Sequence, residues 1–243
     1  MAMDRETIDR IVELGSPHFV ELNDETYSDV KMFKVASENV AAPIQTHTLT
    51  SVVEYLKSFV DKDDICPQDY MIHIIDPETV VVVSCLNSDR KREEIIKATA
   101  IGPRFNFGYF IENEKFTIQL QSMFADDEKT DKDLVLKFSG TVTAGTVKEY
   151  GDDGITQKAT IKTGITTTDV AVVPSPCTLR PYRTFTEVEQ PESKFIFRMR
   201  DSRDTVESAL FVADGDSWKI KAMQNIRDFF NTALEEMGIT VLM

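Results

Sequence analysis

Tyr70-Met71-Ile72-His73-Ile74-Ile75-Asp76-Pro77-Glu78-Thr79-Val80-Val81-Val82-Val83-Ser84-Cys85-Leu86 reads as two strands about an Asp-Pro-Glu turn. The flanking runs are rich in Ile and Val, whose branched side chains fit a pleated surface. Val80–Val83 leaves no polar face, so the hairpin is expected to be central and buried. His73 lies inside the first run and is expected on one face of a strand rather than in a reactive centre. Cys85 continues the second run and reads as a core-strand thiol.

Upstream, Leu49, Val52, Val53, Leu56, Phe59 and Val60 recur at helical spacing, which predicts a helix over Leu49–Val60. Ser51 and Glu54 stand at the capping-box spacing. Asp4 to Leu14 reads as a shorter helix, and Phe19 to Val35 as a small hairpin about Asn23-Asp24.

Downstream, Ser88 or Asp89 is expected to cap a helix running to Ala98, and Asn113–Phe124 reads as another helix. The charged run Asp126–Asp133 marks the best boundary, between an N-terminal α+β half (1–126) and a β-rich half (127–243), unless the two are one continuous domain. Leu134–Tyr150 and Ile155–Ile165 read as long strands joined through Gly151-Asp152-Asp153-Gly154. Shorter strands are expected near Asp169–Val173, Leu179–Glu189, Lys194–Arg200 and Ala209–Ala213. Ser217–Met237 closes the chain as a long amphipathic helix. The expected class is α+β, with mainly antiparallel sheets, flanking helices and that long C-terminal helix.

Composition narrows the function classes. With 27 basic and 41 acidic residues among 243, the formal charge is −14, which disfavours a general duplex-DNA binder and an anionic membrane surface. The three cysteines, Cys66, Cys85 and Cys177, show no C-x-x-C pair, as expected of reduced thiols in an intracellular protein. No apolar leader follows Met1, and no run approaches the roughly 20 apolar residues of a membrane span.

Common catalytic motifs are missing from the sequence. It contains no G-x-G-x-x-G, no Walker A loop, no G-x-S-x-G elbow and no zinc-spaced His or Cys pair. No cofactor is expected. Glu187, Glu189, Glu192 and Lys194 form a weak acidic-basic set around Pro191, a pattern that some Mg²⁺ nucleases use to hold metal and orient water.

Two clusters interleave arginines with aromatics. One is Arg104-Phe105-Asn106-Phe107-Gly108-Tyr109-Phe110, the other Arg180-Pro181-Tyr182-Arg183-Thr184-Phe185. Arginine pairs bidentately with phosphate and aromatic faces stack on bases. Arg104, Phe105, Phe107, Tyr109, Arg180, Tyr182, Arg183 and Phe185 are therefore the candidate ligand-binding residues. The competing reading makes the Phe residues core and pairs the arginines with carboxylates such as Glu187.

Thr48-Leu49-Thr50-Ser51-Val52-Val53-Glu54-Tyr55-Leu56-Lys57 resembles the helix near the start of the YfdQ-like proteins of bacteriophages and prophages. The run from Arg180 to Arg198, containing Arg180-Pro181-Tyr182-Arg183 and Glu192-Ser193-Lys194-Phe195, resembles their C-terminal strand region, and the closing helix is similar too. This resemblance implies a phage accessory protein acting in the host cytoplasm and carries over no catalytic residue. Three functions are then in competition. The first is a non-catalytic binder that occupies a host protein or sequesters a nucleotide signal, blunting host defence. The second is an accessory single-stranded nucleic-acid factor in phage DNA replication or recombination. The third is a Mg²⁺-dependent nuclease or phosphodiesterase. A homo-oligomer is expected because the long strand Leu134–Tyr150 would leave an edge that needs covering.

Overall fold

A computed structural model describes residues 4–22, 25–31, 41–58, 70–86, 90–141, 151–152, 157–163, 167–202 and 205–243. The chain divides into two compact units, Met1–Ala41 and Ala42–Met243. In the first, helix α1 (Arg5–Gly15) starts at Asp4, whose carboxylate accepts the Thr7 backbone N–H at 2.8 Å. Strands β1 (Phe19–Leu22) and β2 (Glu25–Ser28) pair antiparallel, as the alternation over this stretch implies.

The second unit has two hydrophobic centres. The hairpin β4 (Tyr70–Asp76) and β5 (Thr79–Ser84) lies inside a five-stranded sheet ordered β14-β4-β5-β6-β3. Its edges are β3 (Ile44–Thr46), parallel to β6 (Glu94–Thr99), and β14 (Thr240–Leu242), parallel to β4. Tyr70, Ile72 and Ile74 point inward with Val80, Val82 and Ile96. Against them pack Leu49, Val52 and Leu56 of α2 (Leu49–Ser58) and Ile226 and Phe230 of α5 (Ser217–Ala233).

The second centre is built on a four-stranded sheet ordered β11-β12-β13-β7, comprising β7 (Ile111–Glu112), β11 (Cys177–Leu179), β12 (Ser193–Ser202) and β13 (Thr205–Val212). Phe195, Phe197 and Met199 alternate inward along β12, and Val206 and Leu210 along β13. Phe116 and Leu120 of α3 (Asn113–Met123) and Val135 and Phe138 of α4 (Lys132–Thr141) cover them. A three-stranded sheet, β8 (Gly151–Asp152), β9 (Gln157–Thr163) and β10 (Thr167–Val172), completes the antiparallel and mixed α+β architecture.

The structure corrects several element assignments. The helix expected up to Ala98 is instead strand β6 over Glu94–Thr99. Glu94, Lys97 and Ala98 suit a helix, but the apolar strand β5 needs a partner for its buried backbone groups, and that demand outweighs local propensity. The reverse happens at Leu134–Tyr150, where α4 runs to Thr141 and residues 142–150 lie outside the described set. Val135, Phe138 and Ser139 are buried at a spacing of one helical turn, while Leu134 is exposed. The long strand that motivated a symmetric partner therefore begins as a helix.

The strand expected over Leu179–Glu189 ends at Leu179. Residues 180–192 form an irregular strap bounded by Pro181 and Pro191. Helix α5 stops at Ala233, and a 3₁₀ turn (Glu235–Met237) with Gly238 at φ 64° leads into β14. Helix α2 is capped by Thr48, not Ser51: its hydroxyl accepts the Ser51 backbone N–H at 3.2 Å. No boundary falls at 126/127, because β7 pairs with β13 and Phe124 bridges to Pro181 across that point.

Buried Lys132 explains why the charged run does not separate halves. Its ammonium donates to the Phe124 carbonyl at 2.6 Å and pairs with Asp126 at 2.5 Å, closing the C-terminal end of α3. Cys85 is exposed just past β5, whereas Cys177 is buried; Cys66 lies outside the described residues. Among the described residues, no helix is long and apolar enough to cross a membrane.

Candidate functional site

The strap 180–192 runs between the two hydrophobic centres and is tied at both ends. Its Arg180 carbonyl accepts the Ala125 N–H at 2.8 Å, and its Tyr182 N–H donates to the Met123 carbonyl at 2.9 Å, which fixes it to the end of α3. The Thr184 hydroxyl donates to the Pro77 carbonyl in the β4–β5 turn. Phe185 and Val188 are buried in the first centre.

Gln190 folds the strap from inside. Its Oε1 accepts the backbone N–H of Arg183 at 3.0 Å and of Thr184 at 3.3 Å. Its Nε2 donates to the carbonyls of Phe185 at 2.9 Å and Val188 at 3.2 Å. One buried amide thus satisfies four backbone groups that no sheet ladder serves.

This folding carries Arg183 into an aromatic cage. The guanidinium carbon lies 3.9 Å from the centre of the Trp218 ring and 5.7 Å from those of Phe107 and Phe195. Phe107 and Phe195 are themselves stacked, with centroids 5.1 Å apart. Trp218 occupies the first turn of α5, reached through Gly215 and Asp216, both left-handed. Arg183 Nη2 donates to the Ser193 hydroxyl, while its buried Nε has no hydrogen-bond partner among the described residues. No carboxylate lies within ion-pair distance of it among those residues. Burial pushes the guanidinium down to about 10, against the pull of Asp214 and Asp216.

Arg183 lines a cavity of about 370 Å³. The far wall is the extended stretch from Ala100 to Phe105 and Phe107, so both Arg/aromatic clusters meet here. Tyr182, Trp218 and Glu78 of the β4–β5 turn also line it, with the hydroxyl residues Ser122, Thr184 and Thr186. At the mouth, exposed Arg104 pairs with the partly exposed Glu78 at 2.9 Å. Among the described residues the lining thus combines two cations, one carboxylate, a few hydroxyls and flat apolar surface. It suits a small ligand that has an anionic group and a ring.

Of the eight candidate binding residues, Arg104, Phe105, Phe107, Tyr182 and Arg183 line this cavity. Tyr109 is exposed and lies outside the lining, and Phe185 is core. Arg180 is committed elsewhere, to Asp127 at 2.8 Å, Glu189 at 3.1 Å and Glu192 at 2.7 Å. Among the described residues Glu187 pairs with no arginine; its carboxylate accepts the Thr50 backbone N–H at 3.0 Å, at the start of α2.

These positions disperse the acidic-basic set. Glu187 caps a helix, Glu189 and Glu192 neutralise Arg180, and Lys194 is exposed on β12. Among the described residues, no three His, Cys, Asp or Glu side chains are arranged to hold an ion. A shallower cleft of about 450 Å³ beside Glu187, Glu189 and Asp228 is acidic and unsuited to an anion.

Trp218, Glu78 and Gln190 belong to the site but were not among the sequence candidates. Trp218 is the single tryptophan and directly follows the Asp214-Gly215-Asp216 break, a signal available in the sequence. Glu78 and Gln190 join the site only through the folding of the strap and the turn.

Compared with family models, curated proteins and solved structures, the chain matches none.

Proposed function

We propose that this chain is a binding protein whose cavity at Arg183 holds a small, ring-bearing anion of nucleotide type. The observation that carries this reading is a desolvated guanidinium caged by aromatics, with no carboxylate partner among the described residues, at the wall of a cavity. A buried cation is costly unless paired, and a ligand phosphate is the counter-charge that arginine geometry fits best. Phe107 and Trp218 supply apolar ring surface alongside.

The resemblance to YfdQ-like phage proteins supports placing this binding in a host cytoplasm. There, withholding a nucleotide signal or occupying a host protein would serve the phage. A continuous single-strand path finds less support, because Tyr109 and Arg180 lie apart from the cavity wall. Titration calorimetry with AMP and with a deoxythymidine oligomer, on wild type and Arg183→Met, tests the reading. One-to-one AMP binding that the variant loses supports it; oligomer binding alone, or no binding, overturns it.

A further inference from the structure

We propose that the Glu78–Arg104 pair makes the cavity selective for ligands bearing a single phosphate, over di- and triphosphates and polymers. This rests on the reading of the cavity as a nucleotide-type site. Glu78 reaches the lining from the β4–β5 turn, which the Thr184 hydroxyl ties to the strap carrying Arg183. Its carboxylate thereby has a fixed place at the mouth, while Arg104 opposite it lies on an exposed stretch.

The charges decide the class of ligand. Arg104 and Arg183 against Glu78 leave one net positive charge on the lining. Behind Arg183, Asp214 and Asp216 draw on the same cation and Lys219 pairs with Asp216 at 2.7 Å, so these three groups together add a negative charge, not a positive one. One phosphate can engage Arg183 and draw Arg104 away from Glu78, since an exposed ion pair is worth little. A second or third phosphate would meet the released Glu78 carboxylate with no further cation among the described lining residues to offset it. Volume agrees: about 370 Å³ lies near the small end of ligand cavities. The released Glu78 is an acceptor, suited to a sugar hydroxyl or a base amine on the same ligand.

Trp218, the only tryptophan, makes the test direct, because its fluorescence reports on the cavity alone. AMP, ADP and ATP are titrated into the full chain as wild type, Glu78→Gln and Arg104→Gln. In the wild type, affinity should fall from AMP to ATP. Glu78→Gln should raise ATP affinity relative to AMP by about tenfold, the scale of one charge interaction across a partly hydrated mouth. Arg104→Gln should weaken all three. Equal or tighter ATP binding by wild type, or an unchanged ATP-to-AMP ratio in Glu78→Gln, would overturn the selectivity while leaving the nucleotide reading in place. Absence of a saturable response to every nucleotide, with calorimetry silent as well, would remove the nucleotide reading itself and this inference with it. Circular dichroism of the variants keeps misfolding from passing as lost binding.

Discussion

The Arg183 guanidinium stacks on the Trp218 ring at 3.9 Å, although the two residues come from different elements, the strap and the first turn of α5. Cation–π attraction of this kind is worth roughly 0.5–2 kcal/mol, depending on how far the pair is desolvated. It offsets part of the cost of burying a cation that has no carboxylate partner among the described residues.

Arg183→Met keeps the length and apolar contact of the side chain and removes the charge. Because the half-buried charge is met only by the longer-range pull of Asp214 and Asp216, stability should change by less than about 1 kcal/mol in urea denaturation. AMP affinity should drop at least tenfold in calorimetry, the order of one lost charge-assisted contact. A purely structural arginine would show the opposite pattern, a large stability loss and no effect on ligand.

Gln190→Leu removes an amide that serves four backbone groups of the strap. Leaving buried donors and acceptors unmade should cost about 2–4 kcal/mol in urea denaturation. The strap would also lose the bend that presents Arg183, so AMP binding should weaken in the same variant.

Lys132→Met should cost about 2–3 kcal/mol, since the Phe124 and Gln121 carbonyls lose their donor inside the protein. Asp126→Asn should cost less than about 1 kcal/mol, because that carboxylate is almost fully exposed. The contrast between the two chemical-denaturation midpoints measures how much of the contact is capping of α3 and how little is ion pairing.

Burial pushes the Cys177 thiol up from 9.0 to about 12, with Asp131 adding to the rise. The folded state therefore holds this proton more tightly than the unfolded chain. Its contribution to stability is complete below pH 9 and is lost progressively as pH rises toward 12. Cys177→Ser, which does not titrate there, should show a flatter fall in urea midpoint over that range. At pH 8 a disulfide reagent should label Cys85 promptly and Cys177 only on unfolding.

Much of the architecture is legible along the chain because burial and periodicity agree there. Val80–Val83 reads as an interior strand and is buried as one, and Phe116 and Leu120 recur at helical spacing. Errors fall where a neighbour overrides local preference. Glu94–Thr99 is a strand because β5 needs a partner. Lys132–Thr141 is a helix because Val135 and Phe138 share one buried face. Strands β3 and β14 pair in parallel with distant partners, and three-residue segments carry no pattern of their own.

The candidate site was half legible for a related reason. Arginines interleaved with aromatics mark both walls, but spacing does not reveal which cation finds a carboxylate. Arg180 meets three, while Arg183, three residues on, meets an indole ring instead.

The position of the phosphate in a crystal of the full chain grown with AMP tests the cavity most directly. Density for one phosphate within hydrogen-bond distance of Arg183 Nη1, with the ring against Phe107 or Trp218, is the expected result. A nucleotide bound elsewhere on the surface, or an empty cavity at saturating AMP with Arg183 unmoved, would contradict it.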